Sequence, residues 1–439
     1  MSHRSDFAAR LSSPAGIARA CALLLPALLA LRLPSALDGA DSVNFALGLS
    51  DFDPALEQPH FPGYPIYIAL CRLLLCAGLP EVLALGLPGV LASAALVPAQ
   101  SALGRHFGLT APALACAALL LVAEPLLWIE GPRPTPDLLA TACVWIALAL
   151  AAGVRPAGGG IVLGLALGIR IDLAPLAIAA AALPGNARAR FAAGLALGVG
   201  LWLPAFVYAL PPGGLARGVK FALGHFSVWG STALAGAGRS AAVQGLALGL
   251  AAPVLLALSF FGTARVPAPL RRFLAFALGP YSLWVLLGQN LSSARHFLPL
   301  APALALFAAC AVSAIPRGAP RAAAYSAIAV SALALASVPG PSHPNGRELS
   351  ERVFSVCADC GAIFAGPSQR LLEHYAPVGA PLYRRANLDD VRRDLAAWPM
   401  LTGAIGVTSE LAGRAGFDAS GEDVAPGLRL YRIDAAALR

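Results

Sequence analysis

Long apolar runs, separated by short stretches that hold arginine, proline or carboxylates, fill most of the chain. A helix that crosses a bilayer needs about 20 mostly apolar residues. Runs of that kind predict spans at 17–36, 82–104, 109–128, 137–154, 191–210, 241–263, 272–288, 297–315 and 321–339. Two pieces, 159–169 and 173–184, are too short to cross singly at about 1.5 Å per residue. With Arg170 and Asp172 between them they read as one bent hairpin whose tip points to the outer face. Segment 63–79 is also short and carries Arg72 near its middle, so it reads as a helix lying along the interface. Beyond Val338 the pattern changes to polar. Strand-like stretches at 362–366, 381–386, 404–409 and 428–434 alternate with helical ones at 367–376 and 387–398. The predicted fold class is therefore mostly α: a polytopic bundle of about 11 membrane helices. It occupies residues 1–340, with an outer loop at 37–81, and a small soluble α/β domain follows at 341–439.

Composition settles what surrounds the apolar runs. Hydrophobic residues make up 58% of the chain and charged ones 12%, with a mean hydropathy of +0.72. Soluble domains carry about 25% charged residues. One protein core cannot absorb so much apolar surface, so lipid must solvate it, which excludes a soluble globular enzyme. The 44 glycines and 37 prolines do not argue against helices, because neighbouring helices can satisfy the backbone groups they free.

The net charge of +8 rests almost wholly on arginine, since Lys220 is the single lysine. The arginines sit in short loops, and the positive-inside rule explains them without any nucleic-acid partner. Placing Arg4, Arg10, Arg105, Arg155, Arg188, Arg190, Arg265, Arg271, Arg272, Arg317 and Arg321 inside leaves most loop carboxylates outside. The N-terminus is then cytoplasmic and the 341–439 domain extracytoplasmic. Heavy use of Ala, Arg and Leu points to a GC-rich bacterial genome, hence to a bacterial inner (plasma) membrane. Cys21, Cys71, Cys76, Cys116, Cys143 and Cys310 lie in apolar stretches and read as small buried hydrophobes. Cys357 and Cys360 form one CxxC pair, a weak signal for zinc, which wants four ligands, and a better one for a local disulfide if the tail is extracytoplasmic.

The candidate chemistry gathers in the outer loops. Five carboxylates, Asp38, Asp41, Asp51, Asp53 and Glu57, occupy the first of them. ADSVNFALGL predicts a short helix with Asp41 in its first turn, where the helix dipole favours the anion. A carboxylate fixed there can take a proton from a hydroxyl. His60 and Tyr64 stand in HFPGYP, a stiff entry to the next helix. In WIEGPRPTPDLLAT, Glu130 and Asp137 flank a proline-stiffened loop. Asp137 suits a helix N-cap, and either acid also suits an acceptor or a cation. In QNLSSARHFLPLAPAL, Arg295 offers a fork of donors that fits a phosphate as well as it fits an interfacial snorkel. PPGGLARGVKFALGHFSVWGST, with Lys220, His225 and Trp229, has the length of a covering loop.

These stretches, in this order, resemble the GT-C type polytopic membrane glycosyltransferases, in particular the ArnT-like and protein O-mannosyltransferase-like group of glycosyltransferase family 39. The resemblance rests on five elements. They are an acidic first loop (Asp38, Asp41), a His-x-Pro-x-Tyr stretch (His60, Pro62, Tyr64), an Arg-Pro-x-x-Asp stretch (Arg133, Pro134, Asp137), a Gly-x-Arg turn (Gly168, Arg170) and an Arg-x-Phe-Leu-Pro-x-x-Pro segment (Arg295, Phe297, Leu298, Pro299, Pro302). It departs from the pattern at Gly63, where the group has a second consecutive proline, and at Ser42, where an Asp-Glu pair is usual. The resemblance implies a polyprenyl-phosphate-linked sugar as donor, a lipid, glycan or protein hydroxyl as acceptor, and an inverting transfer on the outer face. It implies Asp41 as base. Asp38, His60, Tyr64, Glu130, Asp137, Arg170 and Arg295 would bind substrate, Arg170 and Arg295 through the phosphate. A divalent metal ion is possible under the resemblance, with no ligand set implied. The competing class is a secondary transporter, which interrupted helices with buried charge also suit.

Overall fold

The computed structural model describes residues 13–225 except 55, 232–234, 259–316 except 291 and 292, most of 318–330, and 345–435 except 367, 378, 386, 387, 399, 413–420, 426 and 427. The predicted span at 241–263 lies outside the described residues up to position 258, that at 321–339 lies largely outside, and so does Trp229. The chain divides into two compact units: residues 1–33 with 48–340, and residues 34–47 with 341–439.

The first unit is helical. Among the described residues, four helical stretches are long and apolar enough to cross a membrane: Glu81–His106, Gly185–Ala209, Ala268–Gly288 and Ala294–Ser313. Shorter apolar helices run over Pro14–Ala30, Pro65–Cys76, Ala111–Val122, Asp137–Ala152 and Pro156–Ile169. Prolines explain where many of them begin. Pro14, Pro65, Pro112, Pro125 and Pro156 stand at the first or second helical position, where the missing N–H costs nothing and φ is already helical. Pro125 also accounts for a departure from the predicted span 109–128. The helix stops at Val122, and a new one, Pro125–Glu130, starts with Glu124 as its N-cap. Its ring would clash with the carbonyl four residues back if the first helix continued.

The predicted hairpin at 159–184 has a different form. The first arm is an α-helix to Ile169, Arg170 is extended (φ −152°, ψ 110°), and the second arm, Ile171–Ala182, is a 3-10 helix. This second arm packs chiefly on the helix Ala268–Gly288 rather than back along the first. A 3-10 run of this length is uncommon and marks a strained or functional segment. The first arm packs instead on Gly185–Gly200 through two facing small-residue ridges. A Cβ on Gly160 would fall 2.0 Å from the carbonyl oxygen of Phe191, one on Gly164 2.6 Å from that of Leu195, one on Gly194 2.1 Å from that of Ala157, and one on Gly198 2.4 Å from that of Ile161. Backbones approach this closely in membrane helices only across glycine.

Helix Pro65–Cys76 covers 12 residues, about 18 Å at the helical rise. Arg72, the charge within its apolar face, has defined partners. Its Nε donates to the carbonyl of Leu49 and its Nη2 to that of Gly48, each at 2.9 Å, and its guanidinium lies 6.0 Å from the Phe52 ring centre. Those carbonyls end the helix Ala40–Ser50, where a cation is favourable.

The second unit holds a five-stranded sheet in the order β2-β1-β3-β5-β4, with β1 Ala362–Ala365, β2 Leu382–Arg384, β3 Ala404–Thr408, β4 Glu422–Ala425 and β5 Leu428–Asp434. β1 pairs parallel with β2 and β3, and β5 pairs antiparallel with β3 and β4. Phe364, Val391, Leu395, Ile405 and Val407 form its core beside helix Leu388–Ala397. β4 and the helix Gly346–Val356 were not expected from the sequence. Cys357 and Cys360 are joined as a disulfide directly after that helix. Residues 34–47, expected within the membrane domain's outer loop, belong to this unit.

The glycine ridge yields a direct prediction. Gly160→Ala should lower the thermal midpoint of the detergent-solubilised protein by an amount that reflects about 1–3 kcal/mol of overpacking. Gly200→Ala on the same helix pair, where a Cβ meets nothing within 4 Å, should leave the midpoint unchanged.

Candidate active site

In the first unit, sequence-distant stretches meet around Arg170, which is 6% exposed. Its extended backbone at the end of the helix Pro156–Ile169 turns the side chain away from the helical track. Nε donates to Oδ1 of Asp172 at 3.0 Å, Nη2 donates to Oδ2 of the same carboxylate, and Nη1 donates to Oδ1 of Asp137. Nη2 also donates to Nδ1 of His296 at 3.0 Å. Arginine only donates, so this ring nitrogen accepts and the imidazole proton stands on Nε2. Gln289 Nε2 donates to Oδ2 of Asp172 at 3.4 Å. Every guanidinium nitrogen is thus engaged, and two carboxylates share one buried cation. Such a cluster is tolerated in an apolar surround only when its members pair in this way.

Each partner is held by its own element. Asp137 occupies the first turn of the helix Asp137–Ala152 and is 2% exposed. The N-cap position falls on Pro136, and Asp137 makes no capping bond, because Arg170 takes its carboxylate. His296 lies on the 3-10 turn Ala294–Leu300. Pro299 has no N–H to close a 3-10 bond to the carbonyl of His296, and Pro302 has none for that of Pro299. Side chains supply the missing donors: Tyr281 Oη bonds the His296 carbonyl at 2.8 Å and Trp145 Nε1 the Pro299 carbonyl at 2.9 Å. Gln100 Nε2 bonds the carbonyl of Pro302 at 2.9 Å. Arg295, half-buried, stands on the same turn beside His296.

The His-x-Pro-x-Tyr stretch adjoins this cluster. His60 Nε2 and Tyr64 Oη share a hydrogen bond of 2.7 Å, with the rings 5.0 Å apart. Tyr64 takes a left-handed φ of 49° just before helix Pro65–Cys76, an unusual conformation for a bulky residue. Gly63 takes φ 89°, and a Cβ there would fall 2.9 Å from both Phe52 and Phe206. That explains the glycine where the resembled group has proline. Two residues beyond Tyr64, Ile66 packs against Gly168 at the end of the helix that presents Arg170. Tyr64 and Tyr281 are both near enough to Arg170 to interact electrostatically.

Glu130 ends the short helix Pro125–Glu130 and pairs with Arg133 at 3.0 Å. Glu124, at 1% exposure, caps that helix: its Oε1 accepts from the N–H of Leu126 at 3.4 Å. Helix Pro125–Glu130 packs on the Ala294–Leu300 turn.

In the second unit, Asp38 is buried and Asp41 half-buried. Asp41 stands in the first turn of the helix Ala40–Ser50, as the pattern predicted. Ser42, the departure from an Asp-Glu pair, has a local task. Its Oγ accepts from the N–H groups of Asp38 at 3.2 Å and Gly39 at 3.1 Å, and donates to the carbonyl of Gly39 at 2.8 Å. It thereby satisfies donors at the helix start, as a capping-box side chain does. Among the described residues no group of three or more His, Cys, Asp or Glu side chains is placed to hold a metal ion.

Asp172, Gln289, Tyr281 and Glu124 were not selected from the sequence as site residues, nor was His296 set apart from its neighbour Arg295. The signal for Asp172 was its place within two residues of Arg170 in an apolar stretch. Tyr281 and Gln289 gave no local signal, since their partners lie far along the chain.

No protein-family model matches the sequence, and no curated protein does. Solved structures share the fold. The ArnT of Cupriavidus metallidurans in its apo state matches over 94% of this chain and 96% of its own, at 14% identity and a TM-score of 0.55. The same protein bound to undecaprenyl phosphate matches over 95% and 97%, at 13% identity and a TM-score of 0.55. The apo oligosaccharyltransferase of Archaeoglobus fulgidus matches over 90% of this chain and 69% of its own, at 12% identity and a TM-score of 0.53. The chain therefore has the GT-C type fold, and with its apolar helices it is a multi-pass membrane protein.

The ion cluster makes a stability prediction. Arg170→Met strands the buried carboxylate of Asp137 and the half-buried one of Asp172 and should cost about 3–5 kcal/mol, as breaking a buried pair does, read as a lower thermal midpoint in detergent. The triple variant Arg170→Met, Asp137→Asn, Asp172→Asn should recover most of the loss, because the carboxylate charge leaves with the cation.

Proposed function

We propose that this protein is an integral membrane glycosyltransferase that moves a sugar from a polyprenyl-phosphate donor to an acceptor hydroxyl on the extracytoplasmic face. The observation that supports the reading best is the end-to-end fold likeness, over the helical unit and the small α/β unit alike, to a protein crystallised with undecaprenyl phosphate. Fold alone does not assign chemistry, so the residues must be able to perform it.

The leaving group of such a donor is a phosphate, which departs without a strong general acid. The step then asks for one base and for positive charge at the phosphate. Asp41, half-buried in the first turn of a capped helix, is the base in this reading. It takes the proton of the acceptor hydroxyl as that oxygen attacks the anomeric carbon. The bond from that carbon to the phosphate oxygen breaks, the electron pair leaves with the phosphate, and the anomeric configuration inverts. Arg295 is the cation assigned to the phosphate. Arg170 reaches a phosphate only by exchanging one of its carboxylate partners, and otherwise holds Asp137 and His296 in register. Glu130, Asp137, Asp38, His60 and Tyr64 would shape the sugar and acceptor sites.

The positive-inside count supports a cytoplasmic N-terminus and an extracytoplasmic 341–439 domain, and the disulfide Cys357–Cys360 suits an oxidising compartment. In membranes supplied with a labelled polyprenyl-phosphate sugar, Asp41→Asn should reduce transfer by about 10²–10⁴, the usual share of a general base. Full transfer by the variant removes Asp41 as base. Uptake of a soluble solute into proteoliposomes, without transfer, replaces the reading with a transporter.

A further inference from the structure

The stretch leading into the Asp41 helix is tied to a part of the chain more than three hundred residues away, and both ends of the tie lie within the second unit. Leu37 is completely buried. Its N–H donates to Oη of Tyr375 at 2.9 Å, and its carbonyl accepts from the N–H of Gly346 at 3.1 Å. Both backbone groups of one residue are thus held by the α/β domain. Gly346 is the residue that permits the approach: a Cβ there would fall 2.8 Å from the carbonyl oxygen of Leu37, 2.8 Å from the Tyr375 ring and 2.5 Å from Leu371. The Tyr375 ring is itself placed by the guanidinium of Arg347, 5.9 Å from its centre. Arg347 is the second residue of the helix Gly346–Val356, whose N-cap, Asn345, accepts from the N–H groups of Arg347 and Glu348.

The link from this clamp to Asp41 is short and carries little freedom. Asp38 and Gly39 follow Leu37, and both of their N–H groups are bonded to Ser42 Oγ, which bonds back to the carbonyl of Gly39. Asp41 is one residue from Ser42. Apolar burial alone lets surfaces slide, whereas hydrogen bonds to a backbone N–H and C=O fix distance and direction. A transfer base needs such fixing, since a displacement of about 1 Å can cost 10²-fold in rate.

We propose that Tyr375 and Gly346, in the C-terminal α/β domain, are positioning residues for Asp41. The proposal rests on the reading of Asp41 as base. It goes beyond that reading by assigning the domain a role in the chemical step, carried by Leu37.

The test combines hydrogen exchange on the full chain with steady-state transfer. In the unaltered protein the amide of Leu37 should exchange slowly, and rapid exchange there overturns the clamp without any variant. In Tyr375→Phe, which removes only the hydroxyl, exchange across 37–47 should accelerate, kcat should fall about tenfold, and KM for the polyprenyl-phosphate sugar should stay within about twofold. Gly346→Ala, which pushes on the Leu37 carbonyl, should reproduce the same split. A merely structural role would lower the amount of folded enzyme and leave kcat per folded molecule unchanged, and that result overturns the proposal. The two readings fail separately. Full transfer by Asp41→Asn with a depressed kcat in Tyr375→Phe overturns the base assignment alone. Lost transfer in Asp41→Asn with an unchanged kcat in Tyr375→Phe overturns the positioning role alone.

Discussion

Everything that sets this helical unit apart from a plain bundle follows from one constraint: in an apolar surround a backbone N–H or C=O must find a partner inside the protein. The chain breaks its helices often, at prolines and glycines, and each break frees such groups. Where it does so, a side-chain donor arrives from elsewhere. Tyr281 and Trp145 take the carbonyls that Pro299 and Pro302 leave open on the Ala294–Leu300 turn. Trp128 bonds the carbonyl of Val122 at 2.7 Å, where the helix stops before Pro125. The irregular segments are therefore fixed in place, which is what a site built on them requires.

The same constraint shapes the charges. A lone guanidinium at Arg170 would be costly, and so would a lone carboxylate at Asp137 or Asp172. Brought together they offset one another, and His296 and Gln289 complete the set. Directional bonds from one planar cation to partners on three separate stretches hold those stretches in register. The extended backbone at Arg170 and the 3-10 run after it are the conformations that let a single side chain reach them all. The ion pairs fix the side chain that this change of backbone direction presents.

How far the sequence could be read depended on the range of the interaction. The membrane helices were legible because hydrophobic runs are local and lipid imposes their length. The Asp41 helix was legible because its start signals are adjacent in the chain. The strands at 362–366, 381–386, 404–409 and 428–434 were legible from short apolar stretches alternating with helical ones, while β4, with Glu422 and Asp423 on an edge, carries no such signal. Asp137 looked like a helix cap because that is the local role of an aspartate after proline. Its true partner is 33 positions away, and no local pattern announces it. Ser42 looked like a missing carboxylate and is a cap. Tyr281 and Trp145 carry no local signal, since their polar ends matter only once distant prolines have exposed a carbonyl.

The division of the chain at Leu33 and Leu47 has the same origin. A segment between a membrane helix and a loop has few partners of its own, and its backbone groups must be satisfied somewhere. At Leu37 they are satisfied by Tyr375 and Gly346. At Gly48 and Leu49, the other end of the Asp41 helix, they are satisfied by Arg72. The helix that carries the proposed base is thus held at each end by hydrogen bonds from residues outside it, none of which the local sequence announces.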